Sequence, residues 1–403
     1  MVPRLLALVL LAGVELTSAG TLDQQIEFWQ RRVERDPEDP LSPARLGELY
    51  LQKARETGEP AANVEAEKSL RLSLHRNAAH HPAIVLLASA CVAQHKFSEA
   101  RKLAEKAVSL QRDDAFSLAV LGDACLELGD IDGAEQSYKK MLQLKPALPT
   151  HSRMANLHWI QGHPSAALRN YEDAIQAGEN DSTPPFDLAW GHLQKGHLHF
   201  RTGEFQKAEN AYHAAAKILP DNYLVTDHLA ELRAAQGKFQ EAIALYQKAI
   251  TQAPRPELQQ ALGDVYVFMG KSAAATNWHA RALSGYLKGT AQGNAHYFHH
   301  LASFYSDVQE RPAEALQWAR KDMEVRQTVF AYDTLAWALY RNGRWPEALD
   351  AATKALASGT KDAHLLFHAG MIHLRAGKAA EGKSLLRQAL EANPRYNAFH
   401  AHR

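Results

Sequence analysis

The chain has 403 residues, and Lys plus Arg equals Asp plus Glu at 45 each. That balance excludes a strongly basic nucleic-acid binder or a polybasic partner of anionic lipid. Hydrophobic residues make up 46%, enough for an extended core, and only two cysteines, Cys91 and Cys125, are present.

The first element in chain order is a leader. Arg4 gives a positive start, residues 5–14 are almost wholly apolar, and Thr17, Ser18 and Ala19 offer a small-residue cleavage site. This layout reads as a secretory signal peptide over 1–19, and its apolar run of about ten residues is too short to span a bilayer. No later segment has the length and apolarity of a transmembrane span, so the expectation is an exported chain, periplasmic or secreted. Next, Leu22, Ile26, Trp29 and Val33 recur at helical spacing and stop at Pro37. They predict a lone helix over 21–37 that caps the N-terminal end of the fold.

From residue 40 to 394 one pattern repeats. Ala66, Ala100, Ala134, Ala167, Ala208, Ala242, Ala275, Ala315, Ala348 and Gly382 follow one another at 33 or 34 residues, apart from two gaps of 41 and 40 before Ala208 and Ala315. Around each small residue the same companions return. One unit reads Leu121-Gly122, Cys125, Gly129, Ala134, Tyr138, Met141, Pro146, and another Gly237, Ala242, Tyr246, Ala249, Pro254. Small residues let two helices approach, a Gly supplies the positive φ that turns the chain back, an aromatic fills the space between units, and Pro ends the second helix. A period of this length is one helix–turn–helix unit.

On these residues the chain resembles the tetratricopeptide repeat family. The resemblance implies an all-α fold, a right-handed α-solenoid of stacked antiparallel helix pairs, with a concave groove lined by the first helix of each pair. About nine units are expected. Insertions near 56–63, 178–185 and 284–294 contain Gly, Pro or Ser and predict longer loops, and the two wide gaps predict a division into roughly three blocks. Gly382, replacing Ala, predicts looser packing in the last unit. A tail follows over 395–403, in which Tyr396 and Phe399 are expected to fold back. The chain also resembles a group of bacterial exported proteins of this family through segments such as residues 44–50 and 332–340.

Cys91 and Cys125 sit at equivalent places in adjacent units, too far apart for a bridge, and read as small buried hydrophobes. No phosphate-cradling loop, nucleophile elbow or Cys-x-x-Cys pair is present, so no catalytic residue and no cofactor is expected. Histidine is abundant, at 21 residues. His364 and His368 are four apart with His373 beyond, and His296, His299 and His300 form a second cluster, His192, His197 and His199 a third. Two imidazoles at i, i+4 can hold zinc, yet no carboxylate near in sequence completes a set, so these read as packing or surface imidazoles and no metal site is assigned.

The resemblance places Asp123, Arg153, Asn156, Trp159, His197, Asp227, Glu231, Asp264, His299, Asp333, Trp337, Tyr340 and Arg341 on the groove. Trp337 and Tyr340 beside charges suit a peptide-binding hot spot. The Lys/Asn pattern with which some family members clamp a C-terminal carboxylate is echoed only by Arg153 and Asn156. The functional expectation is a non-enzymatic scaffold binding a peptide segment or protein partner. The alternative is a metal-handling or enzyme-associated factor working through its histidines.

Overall fold

The computed structural model describes residues 20–181 and 183–394. The leader and the C-terminal tail with Tyr396 and Phe399 lie outside the described residues. Among these, 21 α-helices and one short 3-10 turn form, and no strand. The chain divides into two compact units, residues 1–121 and 122–403.

In the first unit, α1 (Leu22–Arg35) starts at a capping box, Thr21 accepting from the Gln24 amide while the Gln24 side chain accepts from the Thr21 amide. Its Ile26 packs with Leu46 and Leu49 of α2 (Leu41–Thr57), flanked by Leu22, Trp29 and Val33. Two pairs follow, α2 with α3 (Pro60–Arg76) and α4 (His81–Ala93) with α5 (Phe97–Leu110). Ile84, Val85 and Ala88 of α4 meet Ala104 and Ala107 of α5.

The boundary falls inside α6 (Ala115–Glu127), which pairs with α7 (Ile131–Leu144). The second unit continues with α8 (Leu148–Ile160) and α9 (Pro164–Asn180), α10 (Pro185–Arg201) and α11 (Phe205–Ile218), and α12 (Tyr223–Ala235) and α13 (Phe239–Gln252). Then come α14 (Pro256–Phe268) and α15 (Ser272–Ala291), α16 (Phe298–Asp307) and α17 (Pro312–Val325), α18 (Val329–Arg341) and α19 (Trp345–Leu356), and α20 (Ala363–Arg375) and α21 (Ala379–Ala392). Ten pairs are therefore described where the pattern predicts about nine, one for each repeating small residue. All ten of those residues are buried, in the second helix of their pairs.

The local chemistry explains the pairing. Gly122 lies under the ring of Tyr138 so closely that a Cβ there would run into the ring, which is why a Leu-Gly step sits opposite the aromatic. Gly382 behaves against expectation. A Cβ built there would meet Leu374 at 2.8 Å and the Gly370 carbonyl at 2.9 Å, so glycine draws α20 and α21 together rather than loosening them.

The insertions also depart from expectation, for they add helical turns instead of loops. Helices α2, α3, α9 and α10 each have 17 residues, and α15 has 20, against 13 or 14 in most others. Gly178 and Gly285, which lie in two of the stretches expected to be loops, are close-approach points, facing Leu148 at 2.7 Å and Pro256 at 2.8 Å in the place of a Cβ. The wide gaps consequently do not split the array. Its one division, between Leu121 and Gly122, lies where the spacing is regular.

The second unit has a feature that no repeat pattern announces: its coil touches itself. The Gln327 amide donates to the Glu127 carbonyl at 2.8 Å. Thr360 donates its hydroxyl to the Ile160 carbonyl, 200 residues away, and Asn393 donates its side-chain amide to the Phe200 carbonyl at 3.2 Å. The loops after the eighth, ninth and tenth pairs thus rest on the first-helix ends of the third, fourth and fifth. Gly129 and Gly162, with φ of 80° and 75°, let the backbones meet there. The groove of this unit is closed along its slot at these three places rather than open along its length.

Candidate functional site

All thirteen groove residues named from the sequence lie in the second unit, and all sit on first helices. Asp123 is the hub of the first layer. It accepts from the Tyr138 hydroxyl at 2.7 Å and takes Arg153 as a fork, Nε at 2.8 Å and Nη2 at 2.7 Å. Burial opposes the Arg153 charge, but Asp123 outweighs it and holds the guanidinium above its ordinary value. Arg153 is committed to this pair, so the partial carboxylate clamp is not formed; Asn156 is exposed.

Trp159 is buried and carries Arg201 over its face at 5.1 Å. That guanidinium also lies over Phe330 at 4.9 Å, and its Nε donates to Asp362 at 2.9 Å. Asp362 also accepts from the His364 and Leu365 amides at the start of α20. One arginine therefore binds the coil to its next turn through an ion pair and two aromatic faces.

The middle of the lining is acidic. Asp227 and Glu231 lie one turn apart on α12, and the Asp264 carboxylate pairs with the His279 ring at 2.7 Å. Burial, reinforced by Glu231 and Glu257, pushes the Asp227 carboxyl up to about 7. Burial alone would raise Glu257, but His296 at 3.1 Å and Arg255 at 2.9 Å hold it below its usual range. His197 faces His228 at 5.6 Å and is lowered to about 3, chiefly by burial. His300, stacked on Tyr286 and 4.0 Å from the His299 ring, is likewise lowered to about 3.

These shifts give a pH prediction. Between about pH 4 and 7 the folded chain keeps a proton on Asp227 that the unfolded chain releases, so stability falls as pH rises through that window. Asp227→Asn is expected to match the parent at pH 4 and to exceed it at pH 8, by on the order of 1–3 kcal/mol in urea titrations. No gain at pH 8 would show that Asp227 ionises freely. His197 and His300 act on the other flank. The unfolded chain takes up protons that the folded rings refuse, so stability falls as pH drops from about 6.5 towards 3.

The C-terminal part of the lining differs most from expectation. Trp337 is 6% exposed, not an open hot spot. Its indole N–H donates to Asp307 at 2.8 Å, and its faces stack on Tyr340 at 4.9 Å and on His368 at 4.1 Å. Asp333 and His368 hydrogen-bond at 2.9 Å, and Arg341 pairs with Glu310 at 3.1 Å. Sequence reasoning misses His228, Arg255, Glu257 and Asp362. Aligning residues one repeat apart would find several such partners, because Asp333 and His368 are separated by 35 positions. Cys91 and Cys125 are both buried, and burial pushes the Cys91 thiol up to about 12. No described helix is long and apolar enough to cross a membrane.

A match to a family model agrees with this architecture. The tetratricopeptide repeat model matches residues 85–149, 193–256 and 334–398. The chain is 24% identical over 271 residues to TPR repeat-containing protein YpiA of Bacillus subtilis, across 66% of this chain and 53% of that protein. It is 26% identical over 172 residues to human tetratricopeptide repeat protein 6, across 42% of this chain and 31% of that one. The chain thus spans a third to a half of these relatives. Among solved structures, a tetratricopeptide repeat protein from Parabacteroides merdae aligns with TM-score 0.43 at 18% identity, over 59% of this chain and 93% of that one. Yeast Tom70 aligns with TM-score 0.42 at 13% identity, over 94% and 91%. The chain is thus an α-solenoid of helix pairs held by a small-residue register, and it carries tetratricopeptide repeats over the three matched stretches.

Proposed function

We propose that the protein is an exported, non-enzymatic scaffold that holds a basic segment of a protein partner against the concave lining of its second unit. Tetratricopeptide repeats generally mediate protein–protein interactions, which supports the class. The acidic middle of the lining carries the choice of partner. Asp227 is pushed up to about 7 by burial and by neighbouring carboxylates, so a lysine or arginine brought alongside relieves an electrostatic cost already present. The leader read over 1–19 supports export.

Fluorescence polarisation with labelled peptides rich in Lys or Arg, against neutral and acidic controls, tests the reading. Basic peptides should bind best, more weakly as salt rises, and about tenfold more weakly to the Asp227→Asn, Glu231→Gln variant. Equal binding of all peptides, or no effect of the double variant, would overturn it. Export is checked by recovering the chain, shortened by its leader, outside the cytoplasm.

A further inference from the structure

Three groups of histidines and carboxylates converge among the described residues: His197, His228 and Glu231; Glu257, His296 and His300; and Asp333, His364 and His368. In each, the donor atoms lie within 4.8 Å of one another. Each draws on one of the histidine clusters visible in the sequence, and each gains its carboxylate from a neighbouring first helix. The Glu257 group lies beside the Arg255 guanidinium at 2.9 Å, which repels a cation. In the His197 group, Arg201 stands one helical turn away on α10 and acts on the ring.

We propose that Asp333, His364 and His368 form a binding site for a divalent transition-metal ion, with zinc as the natural probe. His364 and His368 are four apart on α20, so both rings leave the same face of one rigid helix. Asp333, on α18, projects from the preceding first helix. Its Oδ2 is 2.9 Å from His368 Nδ1 and 3.9 Å from His364 Nε2. A tetrahedral ion with bonds of about 2.1 Å separates its ligands by about 3.4 Å, which these two distances bracket. The three side chains need to adjust only slightly to close on an ion.

The surroundings suit the task. His368 is fixed between Asp333 and the face of Trp337, and Trp337 is itself fixed by Asp307 and Tyr340. Such a second layer holds imidazole ligands in one orientation. The His364 side chain is 43% exposed, which leaves an entry path and room for water at a fourth position. Asp362, at the N-terminus of the same helix, is already paired with Arg201 at 2.9 Å and takes no part in the site. Two imidazoles and one carboxylate are borderline donors, the set preferred by zinc over calcium or magnesium.

Isothermal titration of the untagged, chelator-treated chain with Zn²⁺ tests the site. The expected result is saturable binding at micromolar concentration, with one equivalent lost or weakened about tenfold or more in His364→Ala. His364 is partly exposed, so that variant should fold; circular dichroism checks it, and Asp333→Asn serves as the second variant. Co²⁺ should give the intense visible absorption of a four-coordinate ion in the parent and not in His364→Ala. Absence of heat in the parent, or unchanged stoichiometry and affinity in His364→Ala, overturns the proposal. Peptide binding by Asp227 and Glu231 does not enter this readout, so the two readings fail separately.

Discussion

Gly162→Ala should destabilise the protein far more than Gly237→Ala, although the two glycines occupy equivalent turns with the same φ of 75°. Forcing a Cβ into that left-handed conformation costs about 1–2 kcal/mol at either position. At Gly237 nothing else lies within 4 Å, so the cost ends there. At Gly162 the new Cβ would press into the Gly359 carbonyl of the next turn, and backbone cannot rotate aside as a side chain can. Overpacking of this kind adds about 1–3 kcal/mol. Urea unfolding of the two variants side by side measures the difference, which isolates the seam because strain cancels. Equal losses would mean that the turns do not touch in solution.

The second large effect concerns the cation that clasps that seam. Arg201→Ala leaves Asp362 nearly buried, with a side chain 8% exposed, and without its guanidinium. Breaking a buried ion pair from one side costs about 3–5 kcal/mol, more than the pair contributes in net terms. The two lost aromatic contacts add to the damage. Replacing both ends should recover much of it. Arg201→Met keeps an apolar body between Trp159 and Phe330, and Asp362→Asn keeps an oxygen for the amides that open α20. The double variant should therefore be more stable than Arg201→Ala, and a thermodynamic cycle over the parent, Arg201→Met, Asp362→Asn and the double variant gives the coupling. A coupling energy near zero would place the strength of the seam elsewhere.

Much of this fold can be read directly because each repeat is a local object. The buried alanines from Ala66 to Ala348 and Tyr138, Tyr212 and Tyr246 each answer to partners within one repeat length, so periodicity alone reveals them. Glycines inside helices are harder. Gly178 and Gly285 look like interruptions in a helical pattern, and only the presence of Leu148 and Pro256 opposite shows that the missing Cβ is the point. Trp337 misleads for a related reason. Its place on a first helix, with Asp333 and Arg341 one turn to either side, suggests an open ring on the groove, while its cover comes from Asp307 and His368, some 30 residues to either side. The metal-ligand set is half visible: the imidazoles share a helix, but Asp333 belongs to the preceding pair. Contacts such as Thr360 with Ile160 depend on the pitch of the whole coil, and no local pattern encodes pitch.

Solenoids ordinarily gain and lose repeats freely, because each unit answers only to its neighbours. Self-contact in the second unit withdraws that freedom. Gln327, Thr360 and Asn393 each meet a carbonyl close to 200 residues earlier, and that spacing holds only while the number of intervening pairs is kept. Duplicating or deleting one repeat between Phe200 and Gln327 would carry every one of these partners out of register together. Copy number, the most easily varied property of a repeat array, is here fixed by closure.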